Sequence, residues 1–411
     1  MSAGALGAGA LGLVLLLAIR VAGSAARNRR RLLLYLFKPG LYLTAVILVV
    51  LVLIHAALAI GAIYYGESAL IGRIHIGIIA AIGLGALGGV IVIARNMFSL
   101  VRKAQTFVIG VNLPHSGAPQ LWTRVEEIAQ RLGALRPRSI VVGLDPNFFV
   151  TEASVICLSG KLSGRTLYCS LPLCRILSSS EFSAVIGHEL GHFRGLDTKF
   201  SESFYPIYRG TASSIASLQE TGGEGSASIA LLPAIAILSY FFECFSVAES
   251  RISRDRELAA DQAGASFTDS ATMASALVKV HAFSGLWGGL QSAAADALKE
   301  GKAFVNASKT YAEAVVSSAK PDALAGITDA TLSHPTDSHP PLGVRLGSLR
   351  VTLDQVSMAS LAVSPADPAI DLIPESERKE EEISGAYQAI LAQRLGIDLK
   401  AFTKDQEESG P

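Results

Sequence analysis

Two histidines and a glutamate fall within one short stretch, His188-Glu189-Leu190-Gly191-His192. Phe182, Val185, Ile186, Glu189 and Phe193 recur at helical spacing around it, and Ser178 stands three residues before Glu181 in the order of a capping box. On a helix, His188 and His192 leave the same face one turn apart, so two neutral imidazoles can hold one Zn²⁺. Glu189 then reaches a water on the open side of the ion and can take its proton. The chemistry implied is metal-assisted hydrolysis.

A zinc site with an open position needs a third protein ligand, often a carboxylate from another helix. Glu257 and Asp261 lie downstream in Ser253-Arg254-Asp255-Arg256-Glu257-Leu258-Ala259-Ala260-Asp261, one turn apart and on a face with Arg254. Glu257 is the expected ligand. Asp261 is placed to accept the free ring N–H of a ligand histidine. The opposing reading is a solvated face of charge pairs, against which the alanines around Asp261 weigh.

HELGH followed by SRDRELAAD resembles the HtpX-like and CAAX-prenyl-protease group of integral-membrane zinc metalloendopeptidases (gluzincins). Ser338-His339-Pro340-Pro341-Leu342-Gly343-Val344-Arg345 is similar to that group's late His-Pro…Arg signature, and Asn147-Phe148-Phe149 resembles its Asn-containing strand. The resemblance spans roughly 113–350. It implies one Zn²⁺ per chain on His188, His192 and Glu257, with Glu189 as general base. It also implies that His339 stabilises the oxyanion, that Arg345 holds its segment against the site, and that a sheet edge aligns the peptide by strand addition. Asn147 is carried over as a supporting or substrate-facing residue. His334, in a similar Ser-His-Pro context, rivals His339 for its role.

The elements that must position these residues give a mainly α fold with a small β-sheet (α+β). Half of the residues are hydrophobic, 17% are charged and mean hydropathy is +0.42, so lipid-embedded segments are expected. Formal net charge is zero and no basic tract interleaves with aromatics, which gives no argument for nucleic acid. Four cysteines without CxxC spacing suit reduced thiols.

Residues 1–104 are expected to form a membrane region with three transmembrane helices at about 3–19, 41–65 and 74–94. A cleaved signal peptide competes for the first run, but the charges follow it (Arg20, Arg27, Arg29, Arg30, Arg31, Lys38) rather than precede it. By the positive-inside rule that basic loop is cytoplasmic, and the chain emerges into the cytoplasm near Arg95. The expected location is a bacterial inner (cytoplasmic) membrane, with the active site on the cytoplasmic side.

Residues 105–350 are expected to be the zinc metallopeptidase domain and 351–411 a peripheral acidic tail with one short helix at 383–395. The pattern predicts a helix at 121–132 and strands at 140–144, 148–151 and 165–170. Gly195 is the expected end of the HELGH helix, Asp197 either supports a ligand or caps, and His281 reads as a core histidine. An apolar insertion at 200–247 must cross the membrane zero times or twice, because the ligands on either side meet at one ion. Glu202, Pro206 and Arg209 favour zero.

The function expected is a membrane-anchored zinc endopeptidase acting on polypeptide, either membrane protein or unfolded chain, with the lipid bilayer as its other partner. Membrane-protein quality control is what the resemblance suggests. The alternatives are a CAAX-type processing protease and a non-catalytic zinc-binding scaffold.

Overall fold

The computed structural model describes residues 2–27, 29–70, 72–100, 105–194, 208, 226–303, 305–329 and 340–397. The chain divides into two compact units. One comprises 1–104, 203–254 and 334–338; the other comprises 105–202, 255–333 and 339–411.

The first unit opens with three apolar helices: α1 (Ser2–Ala26), α2 (Arg30–Leu70) and α3 (Ile76–Leu100). Leu13 and Leu53 point outward, 70% and 51% exposed, as lipid-facing side chains do. Among the described residues, Ser2–Ala26 and Arg31–Leu70 are long and apolar enough to cross a membrane. The third expected span is helical over Ile76–Leu100, with Ile76–Ile91 as its described apolar stretch. Phe241 and Phe245 pack on Phe37 of α2 at ring distances of 5.7 and 5.6 Å.

The second unit runs β1 (Thr106–Phe107), β2 (Gly110–Leu113), α4 (Pro119–Leu132), β3 (Ser139–Gly143), β4 (Phe149–Thr151), β5 (Val155–Cys157), β6 (Gly160–Leu162) and β7 (Thr166–Ser170). Helices α5 (Leu171–Ile176) and α6 (Ser179–Gly191) follow. Helix α7 spans Ser226–Phe267, of which 255–267 belongs to this unit. Then come α8 (Ser270–Phe283), α9 (Leu286–Lys299), α10 (Ala307–Ser318), α11 (Leu342–Ser348), α12 (Leu353–Leu361) and α13 (Ser376–Leu395).

The larger sheet has the order β2-β3-β7-β4, with β3 and β7 parallel and the two outer strands antiparallel. Central parallel strands are covered on both faces, which is why Ile140-Val141-Val142 and Leu167-Tyr168-Cys169 are continuous apolar runs, each residue buried. Strands β1, β5 and β6 form a second sheet, with β1 parallel and β6 antiparallel to β5. At two or three residues each, they are too short to show an alternating pattern in the sequence.

Helix α6 starts where the capping box places it. The Ser178 hydroxyl accepts from the Glu181 N–H at 3.1 Å, and the Glu181 carboxylate accepts from the Ser178 N–H at 2.9 Å. Phe182, Ile186 and Leu190 are fully buried, each contributing about 1.5–3 kcal/mol of burial. Glu181 also accepts from Ser275 at 2.7 Å and from the buried Lys279 ammonium at 2.8 Å. Lys279 in turn donates to the Ala362 carbonyl at 2.7 Å, so the start of α6, α8 and the chain after α12 meet at one buried charge pair.

Small residues let α6 and α7 approach closely. A Cβ on Gly264 would lie 2.4 Å from the Ala184 carbonyl oxygen, 2.7 Å from Met273 Sδ and 3.2 Å from the His188 nitrogen. Only backbone movement relieves a clash with a carbonyl. Gly264→Ala is therefore expected to cost about 1–3 kcal/mol through overpacking, seen as a lowered melting temperature of the detergent-solubilised protein. An unchanged melting temperature would mean the two helices are not held this tightly.

Four expectations change. Helix α6 ends at Gly191 with His192 as its C-cap, earlier than the expected stop at Gly195. His281 is exposed on α8 rather than a core residue. The apolar 227–247 stretch and the segment bearing Glu257 form one continuous helix, α7, with no break between them; 200–207 and 209–225 lie outside the described residues. The 351–411 tail is not peripheral as far as it is described. Val363, Ile370, Ile373 and Ile383 belong to the main core, and Glu380, fully buried, accepts from Arg175, Ser308 and Asn306 at 2.7, 2.7 and 2.8 Å. Charge density in Glu375–Glu382 reads as a solvated face, and nothing local in it marks the one carboxylate whose partners come from distant helices.

Candidate metal centre

His188 and His192 project from the end of α6 with their rings 5.1 Å apart and nearly perpendicular, at 89°. Glu257 comes from α7 to meet both. Its Oε1 lies 3.3 Å from His192 Nε2, and its Oε2 lies 3.6 Å from His188 Nε2. One ligand atom from each of the three residues fits within 4.8 Å of the others. Donors held at about 2.1 Å from a common tetrahedral ion are about 3.4 Å from one another, so the carboxylate–imidazole spacings fit zinc. The donor set of two imidazole nitrogens and one carboxylate oxygen also suits it. His188 and Glu257 are buried, and a buried carboxylate between two imidazoles calls for positive charge in their midst.

Asp261, one turn further along α7 and fully buried, accepts from His188 Nδ1 at 2.8 Å. That bond fixes the tautomer and leaves Nε2 as the lone-pair donor. Arg345 on α11 donates to both oxygens of Asp261, with Nε 2.9 Å from Oδ2 and Nη2 2.6 Å from Oδ1, the oxygen that also faces His188. Burial opposes ionisation of Asp261, but the Arg345 guanidinium and His188 outweigh it and hold its pKa below the ordinary range. Burial likewise opposes a proton on His188, yet hydrogen bonds to Asp261 and Glu257 push its pKa up to about 10 in the metal-free chain. Burial wins at His192, whose pKa is lowered.

Glu189 lies partly exposed beside the centre, its Oε1 3.9 Å from His188 Nε2. Beneath it the fully buried Cys169 of β7 has its thiol pushed up by burial and by the Glu189 charge, so it stays protonated. Arg256 is buried beside Glu257 and its charge bears on His192. In sequence it reads as one more surface charge of Arg-Asp-Arg-Glu, and no local signal separates it from its neighbours.

His188, Glu189, His192, Glu257, Asp261 and Arg345 thus come together. Asn147 does not join them: it is exposed in the turn between β3 and β4, where its N–H donates to the Asp145 carbonyl. The next residue, Phe148, packs edge-on against Phe182 of α6 at 5.9 Å, so the turn is tied to that helix by a ring and not by the amide. His339, His334 and Asp197 lie outside the described residues.

Residues 115–353 match the family model described as peptidase family M48. The chain belongs to that family. The match covers the whole ligand set and bears out the resemblance carried by HELGH and SRDRELAAD, and with it the mainly α, α+β fold.

Among curated relatives, the chain is similar to proteins named Protease HtpX homolog. That from Pyrobaculum aerophilum is 30% identical over 49% of this chain and 58% of the relative. The Archaeoglobus fulgidus protein is 28% identical over 47% and 56%, and the Paraburkholderia phytofirmans protein 30% over 41% and 58%. The chain spans less than two thirds of the length of these relatives. No solved structure matches.

The fork from Arg345 to Asp261 supports a ligand from behind, so its loss is expected to loosen the centre without removing a donor. Arg345→Met should weaken zinc binding about 10–100-fold, measured by competition with a chromogenic chelator, and Arg345→Lys should recover part of it. Wild-type affinity in Arg345→Met would show that Asp261 and His188 hold their geometry unaided.

Proposed function

We propose that the chain is a membrane-anchored, zinc-dependent endopeptidase. The reading rests on one observation above all: two imidazoles and a carboxylate from separate helices converge with a second carboxylate, Glu189, beside them. His188, His192 and Glu257 would hold the ion, leaving a fourth position open. Bound zinc would polarise a water molecule and the scissile carbonyl. Glu189 takes the proton from the attacking water and passes it to the departing amine. Asp261 keeps His188 oriented, and Arg345 keeps Asp261 ionised and in place. His339 is assigned to the developing oxyanion, as the resemblance implies.

Among the described residues the outer strand β4 pairs with β7 on one side only, and it supplies an edge on which an extended peptide can add as a further strand. An endopeptidase needs such an edge, because it must hold the chain on both sides of the bond cut. Residues 1–104 serve as the membrane region, with α1, α2 and α3 as spans, and 105–350 as the peptidase domain facing the cytoplasm of a bacterial inner membrane. Membrane or unfolded proteins are the substrates, in a quality-control role.

A partly exposed carboxylate next to the ligand set has no purpose in a purely structural zinc site, which argues against a scaffold. Detergent-solubilised protein should cleave casein, lose the activity to a chelator and regain it with zinc. Stoichiometric zinc with no cleavage of casein or membrane-protein substrates would favour the scaffold. Cleavage confined to prenylated C-terminal peptides would favour a CAAX-type enzyme.

A further inference from the structure

The small sheet β1-β5-β6 buries one face and, among the described residues, leaves the other without a partner. Its register puts Thr106, Val155 and Leu162 in one row and Phe107, Ile156 and Lys161 in the next. Val155 is fully buried against Val141 and Tyr168, with Leu162 packed on the same cluster. The alternate row points away. Phe107 is 71% exposed, Leu158 at the β5–β6 turn is 44% exposed, and Lys161 is exposed beside them. A phenylalanine and a leucine so exposed around Ile156, with a lysine at their rim, form an apolar patch with a positive edge rather than a scattered surface residue.

We infer that this face of the sheet rests in the headgroup region of an anionic lipid bilayer. The occupant follows from the chain's own path. Phe107 comes seven residues after Leu100, the end of α3, so it lies at most about 25 Å along the chain from that apolar helix. The intervening sequence carries Arg102 and Lys103, and the patch itself carries Lys161. Each basic group near an anionic leaflet adds attraction, while a ring at the interface keeps its apolar body out of water. The sheet thereby acts as a foot on the membrane for the unit that carries the metal centre.

Phe107→Trp tests this directly in full-length protein reconstituted into vesicles. The native Trp122 and Trp287 are 5% and 6% exposed, so the new indole dominates the lipid-accessible signal. Vesicles of phosphatidylglycerol and phosphatidylcholine, brominated at shallow acyl positions, should quench it at least twofold, with emission shifted to the blue. Lys161→Glu in the same background should reduce the quenching, as should vesicles of phosphatidylcholine alone.

Leu53→Trp, on the outward side of α2, is the positive control for insertion, and Met358→Trp, 83% exposed on α12, is the control for a solvated site. Quenching at residue 53 with water-like emission at residue 107 overturns the inference while leaving the anchor intact. A blue shift at residue 107 that follows protein concentration, without bromine quenching, overturns it in favour of a second copy of the chain. Quenching at neither position removes the membrane reading and this one with it.

Discussion

Glu189→Gln is expected to leave zinc content unchanged and to lower peptide cleavage about a thousandfold. The substitution keeps size and shape, and Glu189 belongs to none of the three converging donors, so the ion has no reason to leave. What disappears is the proton acceptor. General-base assistance is worth about 10²–10⁴ in rate, and a thousandfold loss corresponds to about 4 kcal/mol in the barrier. The carboxylate lies on the Nε2 side of His188, where a water on the ion would sit, and no other described carboxylate is placed there besides Glu257, which is engaged by both histidines. The check is kcat on a fluorogenic peptide together with zinc per chain by atomic absorption. A wild-type rate at full zinc occupancy would move the base elsewhere.

Glu257→Ala is expected to act on the metal itself. Removing a residue that only orients a ligand weakens zinc about 10–100-fold, so removing a donor should weaken it by more than a hundredfold. Two imidazoles from the last turn of one helix then remain, with nothing from α7 to close the site except the indirect hold of Asp261 on His188. Purified protein dialysed against a weak chelator should retain far less than one zinc per chain and show no cleavage above background. Asp261 and Arg345 stay paired in this variant, so its melting temperature in the metal-free state should stay near that of metal-free wild type. Full zinc retention would exclude Glu257 as a ligand.

Much of this centre was legible in the sequence because its determinants are local. The i, i+4 spacing of His188 and His192, the Ser178–Glu181 capping box and the one-turn spacing of Glu257 and Asp261 each follow from a helix alone. The pairing of α6 with α7 had to be supplied by the ligand requirement of zinc, since nothing local states that Gly264 approaches Ala184. The Asp261–Arg345 fork spans 84 positions, and only resemblance pointed to Arg345.

Most of what escaped is non-local. Arg256, Lys279 and Glu380 look like ordinary surface charges in sequence, yet each is buried, and the partners of Lys279 and Glu380 come from distant segments. The small sheet escaped for a different reason. Strands of two or three residues carry too little periodicity to announce themselves, and Phe107 reads as part of the membrane exit rather than as a strand.

The most direct measurement is zinc K-edge X-ray absorption, recorded for wild type carrying one zinc per chain and for Glu257→Ala brought to the same occupancy with excess zinc. The expected first shell is about two imidazole nitrogens and carboxylate or water oxygens at about 2.0–2.2 Å, with one oxygen scatterer lost in the variant. A sulfur shell at about 2.3 Å, or a spectrum that Glu257→Ala leaves unchanged at equal occupancy, would contradict the joining of α6 and α7 through one ion.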